Sequence, residues 1–289
     1  MTPYPAVKVY FDGTAALDFV KEAHAAIFHT YNCKKMPTII VTGSSRGIGF
    51  ATAEALLTAS GINKVIGVSR TALAHSPELQ RLASGFPDRF TYLSGDLSST
   101  QTQDQVIDAT NGFLDTVVFN AGSVDPIVRL ATVDLNEVKQ LLDVNLFSIL
   151  SLAQKALPLL KKSEQGRMLF VSSGAATGAY AGWGPYCMSK AALNMLSNVF
   201  AVEEPTLVSF AFRPGVVETE MQATIRNDKN AKEMGADKHD QFKKYHQNGD
   251  LLKPTVPGGI LAKMAVGAGR EFSGKFLAWN DEKLAAFRE

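Results

Sequence analysis

Residues 38–49 read TIIVTGSSRGIG and decide the fold of this 289-residue chain. Five β-branched residues predict a strand, the glycines Gly43, Gly47 and Gly49 predict a tight turn, and an apolar helix pattern follows. A side chain at these glycines would obstruct the turn, the approach of a pyrophosphate to the backbone, or the packing of helix on strand. Because the N-terminus of the helix also supplies N–H donors, the stretch predicts a dinucleotide-binding unit.

The same order of strand and helix recurs along the chain. Seven short runs are rich in β-branched and apolar residues: Thr38–Thr42, Lys64–Ser69, Phe90–Ser94, Thr116–Phe119, Arg167–Val171, Leu207–Phe212 and Lys275–Ala278. Such runs, separated by helices, are typical of a parallel sheet covered on both faces, because parallel connections need a long crossover. The sequence therefore predicts an α/β protein: a single doubly wound Rossmann domain with a seven-stranded parallel sheet. Its longest helix is expected from Asp134 to about Leu160, ended or kinked by Pro158.

The composition excludes several classes of function. The chain has 29 Lys and Arg against 28 Asp and Glu, a formal net charge of +1, so no global field attracts nucleic acid or an anionic membrane. No apolar run reaches the roughly 18 residues that cross a bilayer. The two cysteines, Cys33 and Cys187, are too few for a disulfide framework or a metal cage. We therefore expect a cytoplasmic protein with no metal, no nucleic-acid partner and no membrane partner.

Two segments fall outside the pattern of strands and helices. Residues 1–35 contain no Arg, three acids and four Lys, which is unlike a transit peptide. We expect Met36 to be the natural start, with residues 1–35 a disordered or weakly helical extension and residues 36–289 the Rossmann domain. Residues 219–250, the lid segment, are polar and follow the sixth strand. We expect them to form a mobile helical lid over a substrate pocket, or else a solvated surface excursion.

The end of the second strand indicates the type of cofactor. An Asp or Glu that binds the ribose of NAD is expected there, about 20 residues beyond the glycine turn. This chain has Ser69 and Arg70 instead, so no carboxylate repels a 2′-phosphate, and Arg46 and Arg70 offer guanidinium donors. The sequence predicts NADP(H) over NAD(H). After the third strand, Asp96 and Leu97 are placed to reach the adenine, although Asp96 also suits a helix N-cap.

The glycine turn has a second interpretation. Residues 43–47 also match the G-x-S-x-G elbow of an α/β hydrolase, with Ser45 as the nucleophile. A hydrolase needs a later acid and then a histidine, and the histidines downstream of the sixth strand are His239 and His246, both inside the lid segment. A serine hydrolase is therefore the weaker alternative.

Three polar residues are suited to acid–base chemistry. Tyr186 and Lys190 are four residues apart, which places them on one face of a helix. A phenol titrates near ~10, but an adjacent ammonium favours the phenolate and lowers that pKa. Ser173 ends the fifth strand, where loops of open α/β sheets gather around ligands, and its hydroxyl can hold a substrate carbonyl. The set predicts proton transfer to or from a carbonyl oxygen.

In combination these motifs resemble a classical short-chain dehydrogenase/reductase, and the match runs from about Met36 to the C-terminus. The matching positions are Thr42, Gly43, Gly47, Gly49, Asp96, Asn120, Ala121, Gly122, Asn145, Ser173, Tyr186, Lys190, Pro214, Gly215, Val217 and Thr219. The resemblance implies that Tyr186 is the general acid in reduction, that Ser173 orients the carbonyl, and that Lys190 binds the nicotinamide ribose and tunes Tyr186. It also implies that Asn145 completes a water-mediated proton relay.

The resemblance further implies a set of contacts with the cofactor. The expected cofactor-binding residues are Gly43, Ser45, Arg46, Gly47, Ile48, Gly49, Arg70, Asp96, Leu97, Asn120, Ala121, Gly122, Tyr186, Lys190, Pro214, Val217 and Thr219. The resemblance to this family also implies a homodimer or homotetramer, in which the subunits pack through the long helices that carry Asn145 and Tyr186.

A closer similarity is to the fungal benzil-reductase-like and sepiapterin-reductase-like members. It rests on Trp183-Gly184-x-Tyr186, residues 189–194, Glu203-Glu204, Glu218-Thr219-x-Met221-Gln222, Ile225-Arg226 and Phe276-Leu277-x-Trp279-Asn280-Asp281. The similarity implies an NADPH-dependent reductase that transfers hydride from nicotinamide C4 to small-molecule ketones, diketones or aldehydes. A non-catalytic NADP(H)-binding sensor is the alternative from the binding class.

Overall fold

Seven parallel strands form one sheet in residues 36–288, the part of the chain that the structure, a computed structural model, describes. The strands are β1 Thr38–Thr42, β2 Lys64–Ser69, β3 Phe90–Ser94, β4 Thr116–Phe119, β5 Arg167–Val171, β6 Val208–Arg213 and β7 Phe276–Ala278. Their order in the sheet is β3-β2-β1-β4-β5-β6-β7. The predicted doubly wound sheet is confirmed, with β6 shifted by one residue and β7 beginning one residue later. The expected extension, residues 1–35, lies outside the described residues.

Helices cover both faces of the sheet. They are α1 Gly47–Thr58, α2 Pro77–Gly85, α3 Thr100–Asp108, α4 Leu135–Leu142, α5 Ser148–Leu160, α6 Gly184–Glu203, α7 Glu220–Ile225, α8 Ala231–Met234, α9 Ala236–Gln247, α10 Thr255–Gly267 and α11 Ala285–Arg288. Alternate residues of β1 enter opposite cores: Ile39 packs in the cluster with α1 and α10, and Ile40 in the cluster with α3, α5 and α6. This alternation follows from the period of two along a strand.

The predicted long helix from Asp134 to Leu160 is interrupted. A π-helical turn, Asp143–Phe147, separates α4 from α5, and the helix continues past Pro158 to Leu160. The side chain of Asp134 caps α4 by accepting a hydrogen bond from the backbone N–H of Asn136 at 2.8 Å. The apolar pattern of the sequence carries no sign of the π turn, because the turn changes the helix register by only one residue.

The chain after β6 leaves the sheet and returns near the end of the lid segment. Val217 forms a parallel bridge with Leu252, and α7, α8 and α9 lie between these two residues. Phe242 of α9 packs with Trp183 at the start of the α6 region, with ring centroids 5.3 Å apart. The lid segment is therefore folded as short helices against the carboxyl end of the sheet.

Among residues 36–288, no helix has the length and apolar character needed to cross a bilayer. The same part of the chain contains no group of three or more metal-ligating side chains.

Candidate active site

The glycine turn is built as a loop that a larger residue could not form. Gly43 and Gly47 have φ values of +66° and +57°, in the left-handed region that favours glycine. A Cβ at Gly49 would overlap the carbonyl oxygen of Gly43 and the side-chain nitrogen of Asn120. The turn therefore brings bare backbone to the start of α1, with room beside it for a ligand.

A cavity of about 520 Å³ lies along this turn at the carboxyl end of the sheet. Most of the residues predicted to bind the cofactor line it: Gly43, Ser45, Arg46, Gly47, Ile48, Arg70, Asp96, Leu97, Asn120, Ala121, Gly122, Tyr186, Lys190, Pro214 and Thr219. Two predicted cofactor residues lie behind the lining. Gly49 packs against the glycine turn, and Val217 is 5% exposed and forms the bridge with Leu252.

Tyr186 and Lys190 line the cavity, whereas Ser173 lies beside Tyr186 and does not line it. Ser173 lies close enough to Tyr186 to lower the pKa of the phenol, and its hydroxyl accepts the backbone N–H of Ala175 at 3.2 Å. Lys190 donates from Nζ to the carbonyl of Val171 at 2.8 Å, and the same Nζ lies 5.8 Å from the centroid of the Tyr186 ring. The lysine thus faces the ring and the strand end, and the serine faces the phenol.

The pKa of Tyr186 moves opposite to the sequence-based expectation. Burial raises it to about 12, and the neighbouring side chain of Ser173 opposes that rise only in part. Burial also lowers the pKa of Lys190 to about 8. The net shift of the Tyr186 pKa is therefore upward rather than the expected downward one, and its causes are burial, Ser173 and Cys187 rather than Lys190. Tyr186 is consequently a neutral phenol at pH 7, with a proton to donate.

Asn145 lies in the π turn and is fully buried. Its Nδ2 donates to the carbonyl of Ser123 at 2.8 Å and to Ser189 Oγ at 3.1 Å, and its Oδ1 accepts the N–H of Ser123 at 2.8 Å. A Cβ at Gly122 would lie 3.2 Å from Asn145 Oδ1 and 3.6 Å from Lys190 Nζ. The side chain of Asn145 thus holds the loop after β4 beside the lysine.

The two arginines occupy the outer part of the cavity. Arg46 forms an ion pair with Glu220 at 2.6 Å, and Arg70 lines the cavity after β2. Asp96 lines the cavity and accepts the N–H of Ser98 at 2.8 Å, but it is not the N-cap of α3, because Ser99 occupies that position. Two guanidinium groups therefore line this cavity.

Several lining residues were not predicted from the sequence. Ser172 is 3% exposed, and its hydroxyl has no hydrogen-bond partner among the described residues. Glu220 and Met221 belong to α7, and the hydroxyl of Tyr186 donates to Met221 Sδ at 4.0 Å. Ser172 directly precedes Ser173 in the sequence, which is a signal for it, whereas Glu220 and Met221 reach the site only through the folding of the lid segment.

The hydrolase interpretation finds no support in the geometry of Ser45. Its hydroxyl accepts a hydrogen bond from Thr71 Oγ1 at 3.2 Å. His239 contacts the carbonyl of Asn227 at 3.2 Å, and His246 pairs with Glu218 at 3.0 Å. Within residues 36–288, neither histidine lines the cavity that contains Ser45.

The doubly wound sheet, the glycine turn and the Ser-Tyr-Lys cluster around one cavity define an oxidoreductase built on a dinucleotide-binding fold. The chain belongs to the short chain dehydrogenase family, whose model matches residues 37–230.

Relatives support this assignment over nearly the full length of each protein. An uncharacterized oxidoreductase of Schizosaccharomyces pombe is 41% identical over 242 residues, 83% of this chain and 95% of the relative. The benzil reductase ((S)-benzoin forming) of Saccharomyces cerevisiae is 35% identical over 257 residues, 85% of this chain and 97% of the relative. The crystal structure of a short chain dehydrogenase/reductase from Saccharomyces cerevisiae superposes with a TM-score of 0.82 at 36% identity, covering 88% of this chain and 100% of that one.

Proposed function

We propose that this protein is an NADPH-dependent carbonyl reductase that acts on ketones, diketones or aldehydes, in the cytoplasm. The observation that carries the proposal is the neutral, buried phenol of Tyr186 in the lining of the cavity, with Lys190 Nζ 5.8 Å from its ring centroid and Ser173 beside it. The benzil reductase activity named for the yeast relative favours a diketone or a related aromatic ketone as the substrate.

The lining of the cavity fits a dinucleotide. The backbone of the glycine turn and the N-terminus of α1 would hold the pyrophosphate, because anions bind at helix N-termini. The unpartnered hydroxyl of Ser172 and the ammonium of Lys190 would take the polar groups of the nicotinamide ribose. When bound, NADPH supplies a hydride from nicotinamide C4.

The choice of NADPH rests on charge. Arg46 and Arg70 line the outer cavity, and Ser69 stands where an acid would repel a 2′-phosphate. Ser69 Oγ is 2.6 Å from the hydroxyl of Tyr92, so the position is filled by a neutral hydrogen-bonded pair. Two guanidinium groups in the lining, with a serine rather than an acid at the end of β2, favour a phosphorylated ribose.

The residues of the chain perform the proton transfer. Ser173 holds the carbonyl oxygen of the substrate, and Tyr186 donates its proton to that oxygen as negative charge develops on it. Lys190, charged below a pH of about 8, stabilises the phenolate that forms. Asn145 keeps the loop after β4 in place, so that Gly122 leaves space beside the lysine.

The exposed face of α6 favours a homo-oligomer. Four apolar side chains on this helix are between 40% and 80% exposed: Met188, Met195, Val199 and Val202. An apolar stripe of this kind on a helix is more stable when covered, and a second copy of the same helix would cover it. Light scattering after size exclusion tests this part of the proposal: a dimer or tetramer is expected, and a monomer in the wild-type protein would contradict it.

The activity is tested by NADPH oxidation with benzil and with a panel of simple ketones and aldehydes. We expect turnover of benzil with NADPH. With NADH the kcat/KM is expected to be at least about tenfold lower, which corresponds to the loss of one charge-assisted contact. Tight NADPH binding without turnover of any carbonyl would instead favour the sensor alternative.

A further inference from the structure

Three consecutive residues at the start of α7 contact three different parts of the cavity. A Cβ at Gly47 would lie 3.2 Å from Thr219 Cγ2, so the lid segment touches the glycine turn. The carboxylate of Glu220 pairs with Arg46 at 2.6 Å. The thioether of Met221 accepts the hydroxyl of Tyr186 at 4.0 Å. One short helix therefore connects the proposed phosphate site to the proposed catalytic phenol.

The Arg46–Glu220 pair joins two distant segments in the lining of the cavity. Arg46 belongs to the glycine turn and Glu220 to the lid segment, 174 positions further along the chain. Both side chains are well exposed, at 60% and 67%, so the pair is screened by water and easily broken. A doubly charged phosphate monoester is a stronger partner for a guanidinium than a carboxylate is, because it offers more acceptor oxygens and more charge.

Met221 lies against the hydroxyl of Tyr186, which a substrate carbonyl would have to reach. Its sulfur contacts the hydroxyl that the reaction uses, and both residues line the same cavity. Met221 follows Glu220 directly and shares its helical turn. A movement of the α7 backbone on release of Glu220 from Arg46 would therefore carry Met221 with it.

We propose that Glu220 competes with the 2′-phosphate of the cofactor for Arg46, and that its release moves Met221 away from the hydroxyl of Tyr186. This inference rests on the proposed function. It makes Glu220 a specificity-determining residue, because a cofactor that lacks the 2′-phosphate leaves Arg46 paired and the phenol covered.

Equilibrium binding tests the competition. The dissociation constants of NADPH and NADH are measured by isothermal titration for the wild type and for Glu220→Gln, which keeps the size of the side chain and removes its charge. NADPH is expected to bind roughly two- to fivefold more tightly to the variant, the scale of an exposed ion pair, while NADH binding is unchanged. Weaker or unchanged NADPH binding overturns the competition, and an equal gain for both cofactors shows only a general change in charge and overturns it as well.

Glu218→Gln is the matched control for long-range charge. Glu218 lies two residues earlier and pairs with Arg226 and His246 rather than with Arg46. We expect this variant to bind both cofactors as the wild type does. In an Arg46→Met background, Glu220→Gln is expected to have no further effect on NADPH, and a persisting gain would overturn the assignment to Arg46.

Substrate kinetics test the release of Met221. In the wild type, the KM for benzil is expected to be higher with NADH than with NADPH, and in Glu220→Gln the two values converge. A difference that persists in the variant overturns the coupling. The proposed function fails separately, if the wild type shows no preference for NADPH or no turnover, so the two failures are distinguishable.

Discussion

Replacing Lys190 with Met is expected to stabilise the ligand-free protein while abolishing turnover. Lys190 is 4% exposed, and its Nζ donates to the carbonyl of Val171. Burial lowers its pKa from an ordinary 10.5 to about 8. Since each pKa unit corresponds to about 1.4 kcal/mol, the buried ammonium costs the fold roughly 3 kcal/mol at neutral pH.

The net gain is smaller than that cost. Met has a similar length and no charge, but it leaves the Val171 carbonyl without this donor, a loss of about 1 kcal/mol. We therefore expect Lys190→Met to raise the free energy of unfolding by about 2 kcal/mol, or about 4–8 °C in Tm for a chain of this size. Turnover is lost because nothing stabilises the phenolate of Tyr186 after it donates its proton.

Urea unfolding at pH 7 without nucleotide measures this difference. Lys162→Met, at an exposed position of the same residue type, is the control, with an expected change within about 0.5 kcal/mol. The unfolded lysine keeps its proton up to about 10.5, whereas the native one loses it near 8, so wild-type stability rises with pH in that window. The difference in free energy of unfolding between Lys190→Met and the wild type therefore shrinks as the pH rises. A Lys190→Met protein that is less stable than the wild type at pH 7, or a gap that does not shrink, refutes the reasoning.

Three further predictions concern the cofactor site. Gly49→Ala is expected to abolish NADPH binding in titration and to lower the free energy of unfolding by about 2 kcal/mol or more, because its Cβ overlaps the glycine turn. The control Gly259→Ala, with open space around its Cβ inside α10, is expected to be neutral or stabilising. Equal behaviour of the two variants would contradict the packing argument. Arg70→Ser is expected to weaken NADPH binding roughly tenfold or more and to leave NADH unchanged, and an equal loss for both would remove Arg70 from the phosphate site. The kcat/KM for NADPH is expected to fall as pH rises through about 8, where Lys190 loses its charge; a profile flat to pH 10 would contradict that assignment.

The sequence predicts the sheet well because its central strands β1, β4 and β5 are buried along their whole length and therefore read as apolar runs. The run Lys64–Ser69 is an observed strand with the predicted bounds, and β1 carries the glycine turn directly into α1. The spacing of Tyr186 and Lys190 also places both in the cavity lining, because a helix repeats every 3.6 residues. These features are local, and periodicity and spacing report them.

Two kinds of feature were not predictable: those that leave the apolar pattern unchanged, and those that depend on contacts between distant segments. The π turn changes the register at Asn145 without changing the apolar pattern. Glu220 looks like an ordinary surface acid until the lid segment brings it to Arg46. The pKa of Tyr186 depends on how deeply the phenol is buried, which its neighbours in sequence do not determine.

The most direct test of the central claim is the rate of NADPH-dependent benzil reduction by Tyr186→Phe against the wild type. Phe keeps the buried ring, which packs edge-on to Trp183 at 5.9 Å, and removes only the proton donor. The account predicts a loss in kcat of about 10²- to 10⁴-fold, with the affinity for NADPH in titration little changed. A variant that reduces benzil at the wild-type rate would contradict the assignment of Tyr186 as the general acid.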